Sequence, residues 1–300
     1  MKMKLSFKKN RDKNFSYIVL MLPYLIIFFT FTVLPVLISM FLSLTDFNVM
    51  ELPVFTGINN YRRLFMDDPL FKTALTNTLM LAIIIGPGGY ILSFGFAWIL
   101  NEFNPKLRSL LTLFLYAPSI SGGAYAVWAI IYSTDRYGWL NSILMSLDII
   151  YEPIAWTTDP KYMFPAAVIS ILWMSIGTSF LSFIAGFQTI DSKLYEAAAV
   201  DGIKNRWQEL WYITLPTMKP QLMFGAVMSI TSAFGVGGEI SGLFGNPSTN
   251  YKLYTLVMQL GDYGSSRFEM GYASAIAVVL FFLMIGANGL VGKMLAKVGH

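Results

Sequence analysis

Histidine occurs once, at His300, and cysteine is absent. These facts remove a His-based zinc site, a His-dependent triad, thiolate metal ligation and disulfides. Gly86-Pro87-Gly88-Gly89 has the look of a phosphate-cradling turn, but no Gly-Lys-Ser/Thr follows it. It reads instead as a bend or a close contact between helices. No two aspartates pair within an apolar stretch, so a membrane enzyme has no candidate machinery here. The chemistry left open is binding. Trp173, Ser175 and Thr178 fall in one apolar stretch; Ser229, Thr231, Ser232 and Phe234 fall in another, with Glu239 at its end. They offer hydroxyls, ring faces and one carboxylate to a polar solute. Ser and Thr are also common where helices pack, and both readings stand for each hydroxyl.

The elements that must position these residues are long and apolar. Apolar residues make up 55% of the 300 positions and charged residues only 13%, about half the charged share of a soluble domain. Six windows lack any Asp, Glu, Lys or Arg: 14–45, 73–101, 109–134, 162–190, 220–238 and 270–292. Each is long enough to cross a bilayer, which takes about 20 residues. Helices are the form that satisfies every backbone amide within such a span. The expected spans are about 17–44, 73–101, 109–133, 163–189, 218–239 and 270–293, in one membrane domain over 17–296 after a basic cytoplasmic tail, 1–16. Pro23 and Pro35 predict a kink in the first span, which is too long for a signal-peptide core and reads as a retained helix. An N-in, C-in orientation places fourteen basic residues inside, among them Lys2, Lys4, Lys8, Lys9, Arg11, Lys13 and Lys297. Seven fall outside, in loops that include Arg62, Arg63, Arg136 and Arg267. That asymmetry fixes the topology and accounts for the net charge of +4 without nucleic-acid binding. No span carries a charge at its centre, as ion coupling in a secondary transporter or channel would require.

One cytoplasmic connection, 191–220, is long, polar and patterned. Asp191 is placed to N-cap a short helix, with Ile190 and Tyr195 as a hydrophobic staple. Glu196-Ala197-Ala198-Ala199 favours helix, and Asp201-Gly202 ends it, glycine being favoured just past a helix terminus. Asn205 with Gln208 predicts a second capping box. Trp207, Leu210 and Trp211 then share one face, and Pro216 predicts a stop near Thr214. Two short helices with small residues exposed make a docking knob. The same pattern equally suits a connector lying on the membrane surface with both tryptophans in the headgroups.

Glu196-Ala197-Ala198, Asp201-Gly202 and Ile213-Thr214-Leu215-Pro216 resemble, in type and spacing, the EAA loop of ABC importer permeases. Further residues extend the resemblance over most of the chain: Leu22-Pro23, Pro35, Ser43-Leu44-Thr45-Asp46-Phe47, Gly57-Ile58-Asn59-Asn60-Tyr61, Asn77-Thr78 and Ala117-Pro118. They are similar to the carbohydrate permeases of the maltose, glycerol-phosphate and lactose type, in the minimal six-helix form. Gly245-Asn246-Pro247 stands where that family often has Gly-Gly-Pro. The resemblance implies an all-α membrane protein with the six-helix, MetI-like ABC permease fold in a bacterial-type cell membrane. It implies that Glu196, Ala197, Ala198, Asp201, Gly202, Leu215 and Pro216 couple to an ATPase, and that the polar residues of the fourth and fifth spans line a sugar pathway. The implied partners are a second permease subunit in a heterodimer, two ATPase subunits carrying ATP and Mg, an extracellular solute-binding protein, lipid and an oligosaccharide. No cofactor, metal or enzymatic step is implied for this chain. A permease for glycerol phosphate, amino acids, phosphate or metals is the neighbouring alternative. Glu239 has three possible roles: pairing with Arg267, capping a helix, or meeting the binding protein.

Overall fold

The computed structural model describes residues 20–296; the basic tail, residues 17–19 of the first span, Lys297 and His300 lie outside the described residues. Three unbroken helices are long and apolar enough to cross a membrane: α1 (Leu20–Leu42), α2 (Pro69–Asn101) and, at the C-terminal end, a helix over Met270–Leu295. Three bent pairs lie between α2 and that last helix. The first is α3 (Pro105–Ile120) with α4 (Tyr125–Ile131), bent by 90°. After a short outer helix, α5 (Trp139–Ser146), come α6 (Pro160–Met174) and α7 (Thr178–Thr189), bent by 42°. The cytoplasmic helix α8 (Ser192–Val200) and a helical segment over 206–217, α9, lead to α10 (Lys219–Phe234) and α11 (Gly238–Phe244), bent by 44°. A short α12 (Leu256–Gly261) precedes the last helix, α13 (Met270–Ala296). The fold is thus six spans of all-α architecture, three of them broken.

The breaks have local causes. In the third span, expected as one helix over 109–133, Ser121 is extended (φ −87°, ψ 109°) and Gly122-Gly123 follow, so the chain turns where a continuous helix was drawn. Gly177 breaks the fourth span with a non-helical φ −121°, ψ −132°, and Gly237 breaks the fifth at φ −167°, ψ −45°. That break carries the fifth span to Phe244, past the expected end at 239. In α1 a π-helical turn, Phe29–Val33, precedes Pro35. A wide turn there relieves the clash of the proline ring with the preceding carbonyl. In α2, Gly86-Pro87-Gly88-Gly89 causes no break. A Cβ on Gly88 would lie 2.9 Å from Leu172 Cδ2, and one on Gly89 2.6 Å from Ser175 Oγ, so this glycine run serves close helix contact.

On the outer side the chain is held by hydrogen bonds. Thr45–Asp46 and Val54–Phe55 form an antiparallel two-stranded hairpin, β1 and β2. Asn60 Nδ2 donates to the carbonyls of Ser43 and Thr45 at 2.9 and 2.8 Å. Asp68 N-caps α2, and its other oxygen accepts from Gln259 Nε2 (2.8 Å) and Tyr272 Oη (2.7 Å). Asn77 Nδ2 donates to the carbonyls of Tyr251 and Tyr254, and Thr78 Oγ1 accepts from Leu256 N. Arg63 pairs with Glu269 and lies over the Tyr272 ring, 4.3 Å from its centroid. Asn141, at the start of α5, is fully buried. It donates to the carbonyls of Ser133, Asp135 and Ile154 and accepts from Ile154 N and Trp156 Nε1. The interior forms two apolar clusters. One holds Leu81, Ile85, Met163, Ile240 and Ile276; the other holds Ala97, Leu100, Phe180, Phe183 and Met218 at the cytoplasmic end of α2.

Candidate functional site

The cytoplasmic segment is built by caps. Asp191 accepts from Lys193 N at 3.0 Å and starts α8. Its end is a Schellman turn: Ile203 N donates to Ala198 O (3.0 Å) and Gly202 N to Ala199 O (3.3 Å). Gly202 has φ +96°, the left-handed region where a side chain is strained. Asn205 accepts from Gln208 N at 2.9 Å, as a capping box requires, but Gln208 Oε1 accepts from Lys204 N, one residue before the expected partner.

Two further expectations are corrected in α9. Its middle, Leu210–Thr214, is a π-helical turn. Leu210, Ile213 and Thr214 are buried while Trp207, Trp211 and Tyr212 are exposed, so Leu210 leaves the face on which the two tryptophans stand. Nor does the helix stop at Thr214. Pro216 sits within the first turn of the helical residues Leu215–Thr217, where a missing N–H is tolerated, and the irregular point is Met218 (φ −87°, ψ 9°).

Of the coupling candidates, Glu196, Ala197 and Asp201 are exposed beside Gly202, Ala198 is buried under them, Leu215 packs on the inner cluster, and Pro216 is exposed. One link ties α8 to α9, and two tie the segment to α2. Tyr195 Oη and Thr214 Oγ1 share a 3.0 Å hydrogen bond. Arg206 bridges Glu102 at the end of α2 (2.7 Å) and Glu209 (3.0 Å). Trp207 stands edge-on to Trp98, with centroids 5.0 Å apart. The hydrogen bond from Arg206 to Glu209 holds the guanidinium above its ordinary pKa, against the opposing effect of burial. A groove of about 420 Å³ runs between α2 and the segment, lined by Glu102, Glu196, Arg206 and Glu209 among others.

A second cavity, about 200 Å³, lies where the helices break. It gathers Ser175, Thr178, Ser232 and Glu239 from the candidates named on sequence, and adds Tyr116, Ser119 and Ser179 with apolar walls such as Ile85 and Met228. The other four candidates do not line it. Trp173 stands edge-on to Trp128, centroids 5.9 Å apart. Ser229 hydrogen-bonds Ser179 at 3.0 Å, Thr231 Oγ1 donates to Val227 O, and Phe234 is buried in the outer cluster. Tyr116 and Ser119 were missed; the signal available was Pro118 followed by Ser121-Gly122-Gly123 in the third span. The Glu239 carboxylate does not meet Arg267, which pairs with Asp262 at 2.8 Å. It folds back on its own helix and accepts from Gly237 N at 3.4 Å.

Comparison with known proteins fits this architecture. The chain is 33% identical over 315 residues to the probable ABC transporter permease protein YesP of Bacillus subtilis (strain 168), covering 99% of this chain and 93% of that one. It is 30% identical over 272 residues to the lactose transport system permease protein LacF of Rhizobium radiobacter, with 87% and 88% covered. The fold superimposes with TM-score 0.77 on a chain from the crystal structure of a bacterial ABC transporter involved in the import of the acidic polysaccharide alginate. The identity is 22%, over 98% of this chain and 100% of that one. The model of the binding-protein-dependent transport system inner membrane component matches residues 87–298. With six spans, a capped cytoplasmic knob and a cavity at the helix breaks, the chain belongs to the inner membrane components of binding-protein-dependent ABC transport systems.

Proposed function

We propose that this chain encloses half of the translocation pathway of an importer for a sugar, in particular an oligosaccharide. A second permease subunit supplies the other half, two ATPase subunits hold ATP and Mg, and an extracellular solute-binding protein delivers the solute. The chain itself makes and breaks no bond and holds no cofactor. The observation that carries the reading is the cavity at the breaks of three spans. Hydroxyls of Ser119, Ser175, Thr178 and Ser232 and the ring of Tyr116 converge there, the groups that bind sugar hydroxyls and ring C–H faces. A break frees backbone and lets two half-helices move separately, which alternating access needs. The lactose-system relative supports the sugar class. No Lys or Arg is among the residues lining the cavity, which disfavours glycerol phosphate.

The knob at 191–216 is where the ATPases act. Their affinity for it must differ between the two states of the pathway, since equal affinity shifts no equilibrium. Glu196, exposed midway along α8, and Gly202, exposed just past its end, are the proposed contacts. Replacing Glu196 by Lys, or Gly202 by Pro, is expected to abolish ATP-driven uptake while the chain still inserts; full uptake by both variants refutes the assignment. Uptake of a glycan panel by the reconstituted assembly tests the substrate class, and transport of no glycan refutes it.

A further inference from the structure

The cavity carries a chemical bias that the sugar reading does not require. Glu239 is the one charged residue among those lining it, and among the described residues it takes part in no ion pair. Its carboxylate receives a single long hydrogen bond from Gly237 N, at 3.4 Å, so lone pairs remain free. The neighbouring hydroxyls point the same way. Ser119 Oγ donates to Tyr116 O and Ser175 Oγ to Leu172 O, both at 2.8 Å, and Ser179 Oγ donates to Gly225 O at 3.2 Å. A hydroxyl has one proton and two lone pairs. Ser119 and Ser175 spend the proton on the backbone and keep acceptor capacity, while Ser179 is also bonded to Ser229 Oγ at 3.0 Å. Donors without a recorded partner are left at Thr178, Ser232 and Tyr116. The nearby outer cations are engaged, Arg267 by Asp262 and Arg63 by Glu269. The lining thus carries one negative charge and no cationic side chain.

We propose that Glu239 makes this pathway selective for uncharged or amino-bearing glycans and turns away glycans that carry a carboxylate, sulfonate or phosphate. The inference rests on the sugar reading and sharpens it. A neutral glycan presents hydroxyl protons to the acceptors. An anionic one meets a like charge and no cation. Two unit charges about 7 Å apart, in a medium between protein surface and water, interact strongly enough to change occupancy on the order of tenfold. The alginate importer shares the fold but carries an acidic polysaccharide. The fold alone thus does not fix the sign of the solute, and the charged residue lining the cavity in this chain is Glu239.

The charge can be read without knowing the solute. The sequence has no cysteine, so Ser232→Cys or Thr178→Cys places the chain's one thiol in the cavity. In the solubilised full assembly, cationic and anionic methanethiosulfonate reagents are compared at that thiol, each relative to a free thiol. The cationic reagent is expected to be favoured on the order of tenfold. Glu239→Gln should remove that preference and Glu239→Lys invert it, at both reporter positions. A preference that is absent, or unchanged by Glu239→Gln, overturns the proposal. A transport arm compares a neutral oligosaccharide with its aldonic acid, the same glycan oxidised at its reducing end. Comparing variants in one assembly cancels the preference of the binding protein. The wild type should favour the neutral glycan, and Glu239→Gln should shrink that ratio; an unchanged ratio overturns the proposal. No uptake of any glycan by the wild type overturns the sugar reading instead, and the thiol measurement then decides the charge of the cavity by itself.

Discussion

Gly225→Ala tests whether the spans on either side of the cytoplasmic knob are locked together. A Cβ on Gly225 in α10 would lie 2.3 Å from Phe183 Cζ and 2.6 Å from Cε1. Carbon atoms settle near 3.5–4.0 Å, so the ring must retreat by more than about 1 Å. It has nowhere to go. Phe183 in α7 is fully buried, with Tyr90 and Phe94 edge-on at 5.3 and 5.5 Å. Overpacking of this kind costs about 2 kcal/mol. For a chain of 300 residues that corresponds to a fall of about 3 °C in the melting midpoint. The assay is thermal unfolding of the purified assembly, with Phe183→Leu and the double variant completing a cycle. Phe183→Leu removes the ring atoms that the new methyl strikes. The double variant should therefore melt close to Phe183→Leu alone, with a coupling of about 2 kcal/mol. A Gly225→Ala protein that melts within about 1 °C of wild type, or additive costs in the cycle, refutes the steric argument.

Three more outcomes follow from the geometry. Gly202 has φ +96° and open space around its Cβ position, so Gly202→Ala costs backbone strain alone, about 1 kcal/mol. Gly202→Asn should cost less, as melting of the two variants will tell. Asn141→Leu strips five hydrogen bonds from a buried site and orphans Trp156 Nε1 and Ile154 N. The expected cost is about 3 kcal/mol, with faster proteolysis of the outer loop over 135–161 as the second readout. Arg206→Glu breaks two exposed ion pairs, to Glu102 and Glu209, and such pairs contribute at most about 1 kcal/mol each. Adding Glu102→Arg should restore part of the loss in melting temperature, because Glu209 still faces the new carboxylate.

Much of this fold was legible because charge is expensive in lipid. The charge-free windows marked six spans, since a Lys or Glu in mid-bilayer would cost several kcal/mol. The caps of α8 and α9 were legible because Asp191, Asn205 and Gly202 are residues whose side chains, or lack of one, answer a local backbone need. The breaks were harder to read. Gly122, Gly177 and Gly237 sit among many glycines of the spans, and a glycine in a membrane helix serves close packing as often as a bend. Gly88 and Gly89 show the packing outcome, with Leu172 and Ser175 against them. The register of α9 was not legible at all. A π turn moves each later side chain by tens of degrees, and nothing local to Leu210–Thr214 announces one. For the cavity, the sequence pointed to the fourth and fifth spans and not to the third, which adds Tyr116 and Ser119, and which hydroxyls face inward depends on how the broken halves are rotated. Ser232 lines the cavity, while Ser229, three residues earlier, bonds Ser179.

The two ends of α2 are secured by different physics. At the outer end Asp68, Asn77 and Thr78 make hydrogen bonds to Gln259, Tyr272, Tyr251, Tyr254 and Leu256. Several of these groups are buried, and breaking one leaves a polar atom unpaired away from water, at a cost of about 1–3 kcal/mol. At the cytoplasmic end the knob meets α2 through the exposed ion pair of Arg206 with Glu102, the contact of Trp98 with the exposed Trp207, and Leu215 packed on the cluster that holds Ala97 and Leu100. Water can replace the ion pair with little penalty, and no polar atom is left unpaired in the interior when the apolar contacts slide. Displacement of the knob therefore meets its lowest resistance near Glu102 and its highest near Asp68. Between them lie the breaks at Gly177 and Gly237, flanking the cavity. A push at the knob is thus expected to be spent as rotation about the outer end, altering the cavity before it disturbs the outer hydrogen bonds.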